Sequence, residues 1–84
     1  MTPRGQLILE IQKIAQRHRV SWRSVFGSAE RTADTVAARQ EVCVLLAGRG
    51  WPPARIGRFL GVWHTTVAAA LRRAEAAGTG RMAA

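Results

Sequence analysis

At 84 residues the chain has room for one small core and none for a second domain. Its 48% of apolar residues suits a globular domain, while 13 Lys and Arg against 5 acids leave a net charge of +8. The single cysteine, Cys43, excludes an intramolecular disulfide and a cysteine-based zinc site, and no apolar run nears the roughly 18 residues of a membrane span.

Residues 6–18 read as an amphipathic helix with Thr2-Pro3 as cap and first turn. Ile8, Ile11, Ile14, Ala15 and His18 recur at spacings of three and four and are expected to face inward. Ser21 to Phe26 reads as a short second helix, capped by Ser21 and stopped by Gly27, with Val20 placed to pack as a staple. Residues 28–33 form a polar connection. The third helix spans about Asp34 to Ala47, capped by Asp34 or Thr35, with Ala38, Val42, Leu45 and Leu46 inside and Gly48-Arg49-Gly50 as its stop. Cys43 lies in this apolar run and is expected to be a buried small residue rather than a reactive thiol.

Pro52-Pro53 opens a fourth helix, whose apolar face is Ile56, Phe59 and Leu60 and whose end is Gly61. A fifth runs from His64 to about Ala76, with Val67, Ala70, Leu71 and Ala74 inward, and residues 78–84 are expected to form a flexible tail. The fold class is therefore all-α: a compact bundle of about five helices over residues 1–77, ending in a helix-turn-helix.

The last two helices carry the chemistry. Gly57 permits close approach of two helix backbones, a tight turn follows at Gly61, and the next helix opens on His64, Thr65 and Thr66 before burying Val67. In a helix-turn-helix the N-terminal residues of the second helix face base edges in the major groove. A threonine offers a hydroxyl and a methyl to phosphate, base or thymine methyl, and a histidine can donate to phosphate or guanine N7. Ala68 and Ala69 are small enough for the helix to lie close to the groove floor. Taken alone, His64-Thr65-Thr66 would also serve as an ordinary helix start.

The cations point the same way. Twelve of the thirteen are Arg, with Lys13 the only lysine, and the planar guanidinium suits phosphate oxygens and guanine edges. A GC-rich genome also favours Arg over Lys, but it does not explain the excess of cations over acids, which calls for a polyanionic partner.

These residues resemble the C-terminal DNA-binding domain of the bacterial chromosomal replication initiator DnaA. The resemblance covers about residues 8–75. It rests on Ile11-Gln12-Lys13, Arg31, Ala38-Arg39-Gln40, Ile56-Gly57 and His64-Thr65-Thr66-Val67. It implies a fold like the initiator's domain IV, of the Trp-repressor-like kind, and roles residue by residue. Arg31 would enter the minor groove from a basic loop, and Arg39 would contact the backbone or groove nearby. His64 and Thr65 would read bases, and Thr66 would add a contact at the helix start. Beside this, Arg31 can be read as a solvated loop charge, and Arg39 as a salt-bridge partner of Asp34, Glu41 or another acid.

The chain departs from the family at the turn. Gly61-Val62-Trp63 is one residue shorter than the family's Gly-Gly-Arg-Asp, and Trp63 replaces a base-contacting aspartate. Trp63 either meets a sugar or a thymine methyl, or packs against Trp51 or Phe59 and fixes the turn. Ala29-Glu30-Arg31 is also less cationic than the family's loop. The initiator's ATPase domain and its phosphate-binding loop have no counterpart in these 84 residues.

The candidate DNA contacts are thus Arg31, Arg39, Arg55, Trp63, His64, Thr65, Thr66 and Arg72. Arg17, Arg19, Arg23, Arg49, Arg58 and Arg73 are expected on exposed faces; Arg55 and Arg58 precede the turn, where they could hold phosphates, and Arg72-Arg73 lie two turns into the last helix, within reach of the far backbone. The five acids fall on separate elements without a metal-binding pattern, so no enzyme, cofactor or metal is expected.

The expected function is sequence-specific binding of double-stranded DNA by a transcriptional regulator of phage or mobile-element type. One alternative is an origin binder, or a competitor of the initiator at its boxes. Another is an interaction module contacting RNA polymerase or another protein. Met1-Thr2-Pro3-Arg4-Gly5 has no signal-peptide pattern, so the cytoplasm and its nucleoid are the expected location, with no membrane partner.

Overall fold

A computed structural model describes residues 2–27 and 31–83, with side chains as far as residue 77. Half of the predicted polar connection, residues 28–30, lies outside the described residues. Among the described residues the chain is all-helical, with four α-helices and one 3₁₀ turn: α1 Pro3–Arg17, the 3₁₀ turn Trp22–Val25, α2 Ala33–Gly48, α3 Pro53–Leu60 and α4 His64–Ala83.

The element starts follow from capping chemistry. The Thr2 hydroxyl accepts from the Gly5 amide at 3.1 Å, with Pro3 in the first turn of α1. The inward face of α1 is Leu7, Ile11, Ile14 and Ala15. Ile8, expected inside, sits at the edge of that face and is half-buried, as is His18, whose Nε2 lies 3.0 Å from Glu41 Oε1. Arg17 pairs with the same carboxylate.

Ser21 caps the second element as expected, but that element is a single 3₁₀ turn rather than an α-helix. Its bonds run over three residues, Ser24 N to Ser21 O and Phe26 N to Arg23 O, because Gly27 (φ +83°) turns the chain before a second α-turn can close. The start of α2 also differs from the sequence expectation. Thr32, rather than Asp34 or Thr35, is its cap and accepts from Thr35 N at 3.2 Å. Thr35 is buried and its hydroxyl accepts from that of Thr32, so it supports the cap from within the helix. The last helix runs past the expected end near Ala76 to Ala83; no proline interrupts the Ala-rich sequence, although Gly78 and Gly80 each cost about 1 kcal/mol relative to Ala.

The core draws on every element: Ile11 of α1, Val25 of the 3₁₀ turn, Val42 and Leu46 of α2, Ile56 and Leu60 of α3, and Val67 of α4 are all fully buried. Each such side chain contributes about 1.5–3 kcal/mol of burial. Leu45, Phe59 and Leu71, expected inside, are half-buried at the core's margin. The α3 helix packs most extensively on α4, and α2 crosses both. A bond from the Gly27 amide to Leu60 O ties the end of the 3₁₀ turn to the end of α3.

Cys43 is buried in this core as the sequence indicated, and burial pushes its thiol up to about 11, with the nearby Arg39 charge opposing the rise. An unfolded thiol ionises near 9.0, so the unfolded state loses the proton first as pH rises. The stability held by the neutral thiol is therefore complete below pH 9.0 and lost as pH climbs toward about 11. Urea midpoints should fall over that interval in the wild type and fall less in Cys43→Ala. Equal slopes in both proteins would contradict this.

Candidate nucleic-acid interface

The turn between α3 and α4 is set by two glycines. Gly57 accepts twice through its carbonyl, from Gly61 N at 2.8 Å and Val62 N at 2.9 Å, folding the chain back over the end of α3. A Cβ at Gly57 would lie 2.7 Å from Val62 O and 3.3 Å from His64 N, so the close approach expected at this residue is real and leaves no room for a side chain. Gly61 ends α3 at φ +76°, a left-handed conformation that favours glycine.

The chain then enters α4 directly. Trp63 O accepts from Thr66 N at 3.0 Å and from Val67 N at 3.2 Å, closing the first turn. Val67 points into the core and is fully buried, while His64, Thr65 and Thr66 are exposed. One buried side chain thus fixes the rotation of the helix and leaves three hydrogen-bonding side chains in solvent at its positive end.

Trp63 is 78% exposed. The aromatic contacts run elsewhere: Trp51 meets Phe59 at 5.4 Å, Phe59 meets Phe26 at 5.4 Å, and Phe26 meets Trp22 at 5.9 Å, all edge-on. Packing of Trp63 against Trp51 or Phe59, one of the two expected roles, is therefore not what this indole does. It is the backbone of Val62 and Trp63, not the indole, that packs against α3 at Gly57, and Phe59 is already engaged by Trp51 and Phe26.

Beside this turn lies an open groove of about 760 Å³ between α2, α3 and α4. Its exposed side chains include Arg31, Arg58, Trp63, Thr66 and Arg73; its buried side includes Arg39, Cys43 and Ala70. No acidic residue lines it among the described residues. Two of the acids, Glu10 and Glu41, are instead paired with Arg49 and Arg17 along α1 and α2.

No family model, curated protein or solved structure matches the chain.

The structure brings Arg31, Arg39, Trp63 and Thr66 to this one groove, with His64 and Thr65 adjoining Trp63 on α4. It does not bring Arg55 there. The Arg55 guanidinium lies 3.9 Å above the Trp51 ring, a cation–π stack at the opposite end of α3 from the turn. Arg72 is exposed but does not line the groove; its neighbour Arg73 does. Arg39 differs most from expectation. It is only 8% exposed, with Nε donating to Val25 O at 2.9 Å and Nη2 to Ser24 O at 3.1 Å. Burial lowers its pKa below the usual arginine range, and the charge of Arg31 adds to that shift. Through these two backbone carbonyls Arg39 anchors the 3₁₀ turn to α2.

Of the two arginine pairs that the sequence offered as backbone contacts, Arg55/Arg58 and Arg72/Arg73, the groove takes Arg58 and Arg73. Helical spacing carried a usable signal: Trp63, Thr66, Ala70 and Arg73 recur at three, four and three residues and so form one stripe of α4. Among the described residues, no three His, Cys, Asp or Glu side chains converge to hold a metal ion, and no helix is long and apolar enough to cross a membrane.

Proposed function

We propose that the chain is a sequence-specific double-stranded DNA-binding protein acting as a transcriptional regulator in the nucleoid. In this reading α3, the Gly61 turn and α4 form a helix-turn-helix like that of the initiator's DNA-binding domain. The observation that carries it is the first turn of α4. Val67 is buried beneath, and Trp63, His64, Thr65 and Thr66 stand in solvent on a chain of net charge +8. His64 and Thr65 read base edges, Thr66 binds beside them, and Arg31 approaches the minor groove, where a narrow A·T tract attracts arginine. Trp63 replaces an acid that would accept from cytosine, so the reader is tuned to a site other than the initiator's box.

Selection from a random duplex pool tests the proposal. An enriched motif is expected, and affinity should fall with salt at a log–log slope of about −5 if roughly six phosphates are contacted. No enriched motif together with salt-independent affinity would end this reading. Enrichment of the initiator's own box would move the role to replication.

The residue assignment makes a separate prediction. Thr65→Ala should relax the preference at one base position by about 1–3 kcal/mol while leaving the urea midpoint in place. Arg31→Ala should weaken binding. Wild-type selectivity and affinity in both variants would remove these residues from the interface.

A further inference from the structure

The groove between α2, α3 and α4 has a charge arrangement that reading base edges does not require. Guanidinium groups from three places in the chain, Arg31, Arg58 and Arg73, line it, and Arg39 closes its buried side. Arg31 lies near enough to Arg39 to disfavour its charged form. Among the described residues no carboxylate lines the groove; like charges gathered there repel one another, and an anion relieves that repulsion. Ala70 carries only a methyl group, which leaves its side of the groove open. At about 760 Å³ the groove is larger than one phosphate needs and falls in the range of small-molecule sites. The exposed indole of Trp63 supplies a flat apolar surface at its edge.

We infer that this groove is a seat for a nucleotide unit, with a phosphate group held at Arg58 and Arg73 and a base ring laid against Trp63. Arg73 shares its stripe of α4 with Trp63 and Thr66, and Arg58 shares the groove-facing side of α3 with Gly61. Arg55, stacked on Trp51, and Arg72, one step around the helix from Arg73, take no part. Aromatic faces beside a cationic groove accept bases of any sequence, so this contact contributes affinity more than readout. The nucleotide unit has two possible sources: a DNA strand crossing the groove, which rests on the proposed DNA-binding function, or a free nucleotide, which does not.

Two titrations of the full chain separate them. In the first, the selected duplex is titrated over a salt series against wild type, Arg58→Gln, Arg73→Gln and the controls Arg17→Gln and Arg49→Gln, whose guanidinium groups pair with Glu41 and Glu10 away from the groove. In the second, adenosine monophosphate and inorganic phosphate are titrated separately, followed by tryptophan fluorescence. If the strand is the source, Arg58→Gln and Arg73→Gln each weaken duplex binding about fivefold at physiological salt and reduce the salt slope by about one. The controls then keep the wild-type slope, and millimolar nucleotide does not compete. If a free nucleotide is the source, it binds saturably and more tightly than inorganic phosphate. Either groove substitution weakens it, and Trp63→Leu reduces it to the affinity of phosphate. The proposal is overturned if the groove variants match the controls on duplex and no saturable nucleotide binding occurs. Should the wild type bind no duplex at all, the proposed function falls and the nucleotide titration alone decides the groove.

Discussion

Gly57→Ala is expected to destabilise the protein by about 1–3 kcal/mol, the cost of forcing an extra methyl into filled space. The new Cβ would stand 2.7 Å from Val62 O, 3.3 Å from His64 N and 3.4 Å from Trp63 C. All three are backbone atoms, so no side-chain rotation relieves the clash; the turn itself must move. Replacing a helical glycine by alanine ordinarily gains about 1 kcal/mol, which makes a net loss the more telling. A domain of this size has roughly 5–12 kcal/mol in total, so the change should shift the urea midpoint clearly at an unchanged m value. Duplex affinity, measured where the variant is still folded, should also fall, because relief of the clash displaces His64 and the first turn of α4. Gly61→Ala is the useful comparison. Its new Cβ meets nothing closer than 3.7 Å, so its cost, about 1 kcal/mol, comes from the φ of +76° alone. A Gly57→Ala protein as stable as the wild type would mean that α3 and the turn are not in this contact.

Gly57 also illustrates what the sequence could reveal. Glycine after an apolar helix residue, followed by a second glycine and a polar helix start, is a local pattern, and local patterns carried most of the fold. The caps at Thr2 and Ser21, the stops at Gly27 and Gly61, and the burial of Ile11, Val42, Ile56 and Val67 are each set by near neighbours or by helical period. The failures lie where distance or length decides. Leu7 and Ile8 are equally apolar, and only the angle at which α1 meets the other helices chooses Leu7. The second element has a good cap and an apolar face, but Gly27 arrives too soon for an α-helix. Trp63 had two open fates, which the packing of the turn's backbone on Gly57 resolved in favour of solvent.

The interface was legible to the same extent. His64, Thr65 and Thr66 are consecutive, so one buried neighbour, Val67, determines their exposure. The arginines are scattered from residue 31 to residue 73; helical period puts Arg73 rather than Arg72 on the stripe of Trp63 and Thr66, but nothing local separates Arg55 from Arg58. That distinction requires the packing of α2 across α3 and α4. Charge neutralisation is divided by the same packing. Glu10 and Glu41 meet Arg49 and Arg17 across α1 and α2, which leaves the groove on the other side of α2 lined by cations. Exposed ion pairs of that kind stabilise little, so their main effect here is on where positive charge remains.

Arg39→Met is expected to cost about 2–4 kcal/mol, the second large effect. The change leaves the buried Val25 O and the part-buried Ser24 O without the guanidinium that now donates to them at 2.9 and 3.1 Å; an unpaired buried carbonyl costs about 1–3 kcal/mol and a part-buried one less. Methionine preserves much of the aliphatic volume, so the loss reports the polar contacts rather than a cavity. Arg39→Lys should recover only part of it, because one ammonium cannot reproduce a rigid fork reaching two carbonyls. Urea denaturation of the three proteins measures this ordering. A salt series on duplex separates it from the role first expected for Arg39. A phosphate contact would lower the salt slope by about one and leave the urea midpoint in place. An anchor of the 3₁₀ turn lowers the midpoint and leaves the slope near wild type. With Nε and Nη2 both engaged and 8% of the residue exposed, the anchor result is expected. Because the 3₁₀ turn ends at Val25, six residues before Arg31 in the chain, loosening it should also weaken Arg31's contribution. The double variant Arg31→Ala/Arg39→Met should therefore lose less affinity than the sum of the two single losses, and full additivity would disconnect the anchor from the loop.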